Sequence, residues 1–209
     1  MRPRNLAVAA ALAAVLLWAS VALAATRSGT NGSDTIFGTT GDDIITAKGG
    51  SDIVFALSGN DVIRGGSGGD NIHGDASCPR GSRDPDDCRQ TRGSGRDRIE
   101  GNSGDDVIAG GLGNDVISGG SGVDNIQGGP GRDRISGGSG GDTIIGQSGS
   151  DRISPGSGTD SVFAGSGNDV IYARDSYRDS IDCGAGRDTA VVDRRDRVSR
   201  NCEKVLRRR

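Results

Sequence analysis

Aromatic side chains are almost missing from this chain, with three Phe, two Tyr and one Trp among 209 residues, so a conventional core built on large apolar groups is unavailable. Histidine occurs once, at His73, and cysteine four times, which is poor provision for zinc, whose usual ligands are imidazole and thiolate. His73 reads as a surface residue rather than a general base. Beyond the N-terminal segment no apolar run is long enough to span a bilayer. G-x-G-x-x-G, P-loop and EF-hand patterns are missing. G-x-S-x-G does occur, at Gly65–Gly69 and Gly137–Gly141, but without the strand-to-helix setting of a nucleophile elbow. What remains is glycine, 38 residues, and a slight excess of acid that leaves a formal charge of -3. On composition alone such a chain would be disordered.

Its order says otherwise. From Gly101 to Ile145 one nine-residue pattern recurs five times: GNSGDDVIA, GGLGNDVIS, GGSGVDNIQ, GGPGRDRIS, GGSGGDTII. In the same frame complete nonads run from Gly29 to His73 and from Arg92 to Tyr172, fourteen in all, and three columns hold throughout. The fourth position is Gly, the sixth Asp, the eighth Ile or Val. Glycine permits positive φ and close backbone approach, so GGxGx is a tight turn. The x-Ile/Val-x triplet is a very short strand that points one apolar side chain inward. No single strand of this kind buries anything alone, so the units must stack, two nonads to a coil. The fold expected is all-β, a parallel β-roll: a right-handed β-helix-like solenoid closed by a C-terminal cap.

These nonads resemble the haemolysin-type calcium-binding (RTX) repeat, whose pattern is G-G-x-G-x-D-x-U-x. The resemblance covers about two thirds of the chain. It implies that Ca²⁺ is held between stacked coils by the sixth-position aspartates and by turn carbonyls. With coil neighbours eighteen residues apart, Asp97, Asp115, Asp133, Asp151 and Asp169 would line one edge, and Asp106, Asp124, Asp142 and Asp160 the other. Asp34, Asp52 and Asp70, with Asp43 and Asp61, are supplied by the N-terminal nonads. Electrostatics points the same way. Stacked strands lie about 4.7–4.9 Å apart, and a column of carboxylates at that spacing repels itself unless a cation sits among them. Oxygen ligands in number suit calcium. The alternative is that Asp merely suits turns.

Residues 1–24 have the layout of a secretory signal peptide: Met1-Arg-Pro-Arg, an apolar run from Leu6 to Trp18, then a small-residue site ending Ala22-Leu-Ala24. An uncleaved anchor is the other reading. Cleavage would remove Arg2 and Arg4 and make the mature chain more acidic. Residues 25–73 are repeats whose turns depart from glycine pairs at Ala47-Lys48 and Ala56-Leu57, and weaker calcium binding is expected there. Residues 74–91 form an insertion with Pro79 and Pro85 and no Ile or Val; its eighteen residues equal one coil, so the register resumes on the same edge. Residues 92–182 resume the repeats. The frame slips by one after Tyr172, where Asp179 and Ile181 keep the Asp-x-Ile relation, and Asp188 is a weaker ligand candidate. Residues 183–209 are a basic cap. In an exported chain Cys78 is expected to pair with Cys88 and Cys183 with Cys202.

The leading expectation is a secreted, extracellular, non-enzymatic calcium-binding β-roll that folds on binding calcium and has a structural or interaction role, with a cell-surface or matrix component as a possible partner. No specific nucleic acid is expected, nor any membrane span after signal cleavage. The alternatives are a calcium-dependent adhesion module, read by the insertion or by a ridge of Phe37, Phe55, Phe163 and Tyr172, and a non-catalytic relative of RTX toxins and hydrolases.

Overall fold

The computed structural model describes residues 24–75 and 94–207. Among them there is no helix, and so none long and apolar enough to cross a membrane. The twenty strands of the described residues alternate between two parallel ten-stranded sheets, except that β17 (Ala185–Gly186) follows β16 (Ser180–Asp182) in the same sheet, and this is the β-roll expected. Partners are in register at a spacing of eighteen residues. Thus β9 (Val116–Ser121) pairs with β11 (Arg134–Ser139) through Ile117 and Ile135, and β11 pairs with β13 (Arg152–Ser157) through Ile135 and Ile153.

These strands are longer than the expected triplet. β9, β11 and β13 run on through the first three residues of the next nonad, so Gly120, Gly138 and Gly156 also stand in register. The reason is that every coil has the same turn geometry, so turn backbones stack and hydrogen-bond as the triplets do: the Gly122 N–H donates to the Ser139 carbonyl at 2.9 Å. Alternation then carries inward-facing residues past the eighth position to the first of the next nonad. Ala47, Ala56 and Ala164, all first-position residues, are fully buried beside the isoleucine row from Ile36 to Ile181. Two inward residues per nonad, not one, form the core, and among the described residues the second is Gly, Ala or, in one nonad, Pro155, small residues that fit beside the isoleucines. A Cβ on Gly110 would lie 3.0 Å from Ile117 Cδ1.

Gly74 and Asp75, the first two residues of the expected insertion, belong to a strand, and residues 76–93 lie outside the described residues. β5 (Val62–Ser67) pairs directly with β7 (Arg98–Ser103), and β6 (Asn71–Asp75) with β8 (Val107–Ala109), at a spacing of thirty-six residues. Asp75 clasps the two ends, accepting N–H bonds from Gly95 at 3.0 Å and Leu112 at 3.1 Å. Cys78 and Cys88 lie outside the described residues.

At the C-terminus the cap is itself a last, degenerate coil. β19 (Arg197–Val198) and β20 (Lys204–Arg207) are the final strands of the two sheets, pairing with β16 (Ser180–Asp182) and β18 (Thr189–Val192). Cys183 and Cys202 are joined, as expected, with Cα atoms 5.2 Å apart. β20 is exposed along its length, and Lys204 and Arg207 make it a charged edge of the kind that discourages further strand addition.

Candidate metal centre

Each sixth-position aspartate stands where turn becomes strand. Its backbone carbonyl accepts the N–H that opens the strand of the next coil, as Asp115 does from Arg134 at 2.8 Å. Its own N–H donates to the Oδ1 of the next aspartate in the column: Asp115 to Asp133 at 2.9 Å, Asp133 to Asp151 at 2.8 Å, Asp151 to Asp169 at 2.8 Å. The second edge repeats this through Asp106, Asp124, Asp142 and Asp160. The N-terminal nonads join the same ladders, Asp43 to Asp61 to Asp97 and Asp34 to Asp52 to Asp70 to Asp106. Both columns are therefore continuous across the insertion.

The other oxygen is different. In Asp52, Asp61, Asp70, Asp97, Asp106, Asp115, Asp124, Asp133, Asp142, Asp151, Asp160 and Asp169, Oδ2 is buried and has no protein hydrogen-bond partner. A buried carboxylate oxygen without a partner is costly, and a row of them is the signature of a missing positive charge. The surroundings suit a hard cation. A Cβ placed on Gly110 would stand 2.6 Å from Asp115 Oδ2 and 2.6 Å from the Gly128 carbonyl oxygen, so the glycine leaves open a space bounded by a carboxylate of one coil and a carbonyl of the next. Oxygen donors of these two kinds are calcium's preferred set.

Asp34 and Asp43, in the first two nonads, depart from this pattern. Oδ2 of Asp34 accepts the Thr30 N–H at 2.6 Å and its hydroxyl at 2.9 Å, and Thr39 serves Asp43 likewise. The Thr30 bonds hold the Asp34 carboxyl below its ordinary range. Down the columns the shift is opposite. Burial pushes Asp97 up to about 8 and Asp61, Asp106 and Asp133 up to about 7, against the lowering effect of the backbone N–H each accepts, and neighbouring carboxylates add to the rise. Without a cation these groups resist ionising.

Sequence reasoning stopped the columns too early. Asp160 donates its N–H to Asp179, and Asp179 in turn to Asp196 at 3.2 Å; Asp169 donates to Asp188, and Asp188 to Glu203 at 2.7 Å. Asp179 and Asp188 carry the same unpartnered buried Oδ2, so Asp188 is as regular a member as the rest. The signal was present: Asp196-Arg-Val198 and Glu203-Lys-Val205 keep the acid-x-Val spacing after the glycines are gone. Beside Asp160 and Asp179 the turn between β15 (Val170–Ala173) and β16 brings in Asp175, and ligand atoms of the three lie within 4.8 Å of one another.

The turns at Ala47-Lys48 and Ala56-Leu57 hold their aspartates as the others do. Lys48 and Leu57 take the positive φ of the second position, 87° and 85°, as do Asn102 and Gln147. The outward aromatics do not form one ridge. Phe37, Phe55 and His73 stack on the second sheet with centroids 5.4 and 5.1 Å apart, whereas Tyr172 lies on the first sheet under the Arg152 guanidinium.

No curated protein matches the chain. A family does: the RTX calcium-binding nonapeptide repeat (4 copies) matches six overlapping segments, 28–63, 47–77, 91–126, 118–153, 127–162 and 154–190. Those segments take in the buried aspartates from Asp43 to Asp188 and well over half of the sequence. Repeats that bind Ca²⁺, with aspartates lining their turns, are what the two ladders present, and the chain belongs to the RTX calcium-binding nonapeptide repeat family.

Proposed function

We propose that the protein is an exported, non-enzymatic calcium-binding β-roll that folds on binding calcium outside the cell, where it has a structural or interaction role. The observation that carries this reading is the row of buried, unpartnered Oδ2 atoms along both edges. A fold with one Ile or Val and one small residue facing inward per nonad leans on metal binding for folding free energy. The sixth-position aspartates from Asp52 to Asp169 are the proposed ligands, joined by Asp179 and Asp188. Export is supported by the signal-like segment 1–24, whose residues 1–23 lie outside the described residues, and by the Cys183–Cys202 disulfide, since such bonds persist in oxidising compartments.

An adhesion role is favoured by one observation, the partly exposed Phe37–Phe55–His73 stack. The test of export is to express the full chain in a bacterial host and map the recovered protein by non-reducing peptide analysis. The reading expects it outside the cytoplasm, beginning at Ala25, with Cys78 joined to Cys88. Intact Met1 on a cytoplasmic product with free thiols would overturn it.

A further inference from the structure

Among the described residues of the fourteen nonads arginine is confined to one side of the roll, and on the second sheet it first occurs one coil later, at Arg178. On the second sheet, the residues from the fifth to the ninth position of each nonad, 33–37, 51–55, 69–73, 105–109, 123–127, 141–145 and 159–163, include no Lys or Arg. The corresponding positions of the first sheet carry Arg64, Arg96, Arg98, Arg132, Arg134 and Arg152, and Arg187 extends them one coil further. In sequence this appears as arginine in alternate nonads only. All of these side chains are exposed.

Neutralising the aspartates is not a sufficient reason for this lane. From Asp52 to Asp160 the second column holds buried carboxylates in the same geometry with no arginine beside them. Nor are most of the arginines paired with acids: among the described residues the ion pairs are those of Arg64 and Arg98 with Glu100. Arg134 and Arg152 are direct neighbours on adjacent strands, two like charges side by side in a protein of net negative charge. The backbone under the lane is fixed. The N–H groups of Arg96, Arg132 and Arg187 donate to the side chains of Asn60, Asn114 and Asn168 at 2.9–3.0 Å, and all three arginines are exposed. Two shallow grooves follow, one lined by Arg96, Arg98 and Asn114, the other by Arg134, Ser150 and Arg152, and they meet at Arg132; Asp97, Asp133 and Asp151 also line them but are buried beneath the exposed arginines.

We propose that this lane binds a linear acidic polysaccharide laid across the strands of the first sheet. Guanidinium forks match carboxylate and sulfate groups in geometry, and the Ser and Asn side chains between them can hydrogen-bond sugar hydroxyls. Single-stranded nucleic acid fits less well, because it needs aromatic platforms and the one aromatic residue in these nonads of the first sheet, Tyr172, already lies under Arg152. The proposal rests on the calcium-dependent roll, since only stacked coils bring these arginines into one row.

The test uses the full chain in saturating calcium, with β content checked by circular dichroism before any polymer is added, so that failure of calcium-dependent folding is seen separately. Immobilised dextran sulfate and hyaluronan are the probes, neutral dextran is the control and duplex DNA the competitor. Binding to at least one acidic polymer and not to neutral dextran is expected, weakening as salt rises. Arg132→Gln/Arg134→Gln/Arg152→Gln should bind about tenfold more weakly, about 1.4 kcal/mol, with an unchanged calcium midpoint. Arg194→Gln/Arg195→Gln/Arg200→Gln in the cap should bind as the parent does. A triple Lys variant of the lane keeps the charge and should fall between parent and Gln variant, which gives a second reading if the Gln variant does not fold. The proposal is overturned if neither acidic polymer binds, if the cap variant loses as much as the lane variant, if DNA binds more tightly than both polymers, or if the lane variant shifts the calcium midpoint and leaves polymer binding intact.

Discussion

At Asp133 one carboxylate oxygen accepts a backbone N–H and the other is buried without a partner, whereas at Asp34 the second oxygen is satisfied by Thr30. The two residues occupy the same place in the repeat and should answer differently to removal. Asp133→Ala takes a ligand from the middle of a cooperative stack and should raise the calcium midpoint several-fold, followed by circular dichroism. Asp34→Ala should fray one end and leave the midpoint nearly in place. Equal shifts would mean that the aspartates serve turns more than ions. Protons should compete with calcium for the same groups. Burial raises Asp133 to about 7 and Asp97 to about 8 in the folded chain, from an ordinary 3.8. The metal-free folded state therefore binds protons more readily than the unfolded state does; it is favoured below about pH 4 and loses that advantage as pH rises towards 8. Calcium needs the ionised form, so its dependence has the opposite sign. Titrations from about pH 5 to about pH 8 should show the calcium midpoint falling, while in chelator β content should be higher at the acid end.

At the scale of elements, the repeat tolerates change unevenly, and the strands explain where. Gly140, at the fourth position, has φ of 138°, and a Cβ there would overlap the carbonyl of Gly122 in the preceding coil. Gln147, at a second position, sits at φ 81°, a conformation open to side chains at modest cost. That difference accounts for an invariant glycine two residues from a position that admits Lys48, Leu57, Asn102 and Gln147. The last coil is the element with least to hold it: β19 pairs over two residues and β20 is exposed throughout. Its attachment depends on the Cys183–Cys202 bond, which closes a loop of separation 19. A loop of that length corresponds to about 3 kcal/mol in the chain-entropy account. Cys183→Ser/Cys202→Ser should therefore speed hydrogen exchange in β18, β19 and β20 while β9, β11 and β13 keep their protection in calcium. Uniform loss of protection along the roll would show that the cap anchors the whole stack.

Over the whole molecule, the fold was legible in the sequence because a period of nine is visible without any tertiary information, and an eighteen-residue coil follows from two faces. The columns were legible for the same reason as far as Asp169. What escaped was set by stacking and not by period: the inward first position occupied by Ala47 and Ala164, the strands that continue through turns, and the direct pairing of β5 with β7. The last members, Asp196 and Glu203, escaped because the glycines that flag a turn are absent there and only the acid-x-Val spacing survives. The separation of Tyr172 from Phe37 and Phe55 likewise depends on which nonads share a sheet. All of these features presuppose that the coils stack, and the account holds that cations between the aspartates make stacking favourable. The direct measurement is far-ultraviolet circular dichroism of the chain from residue 25, titrated with calcium from excess chelator at neutral pH. The account predicts little β structure in chelator and a cooperative gain at about 10⁻⁴ to 10⁻³ M calcium, the range of extracellular sites, with magnesium a poor substitute. A chain equally rich in β structure in chelator, with no change on adding calcium, would contradict it.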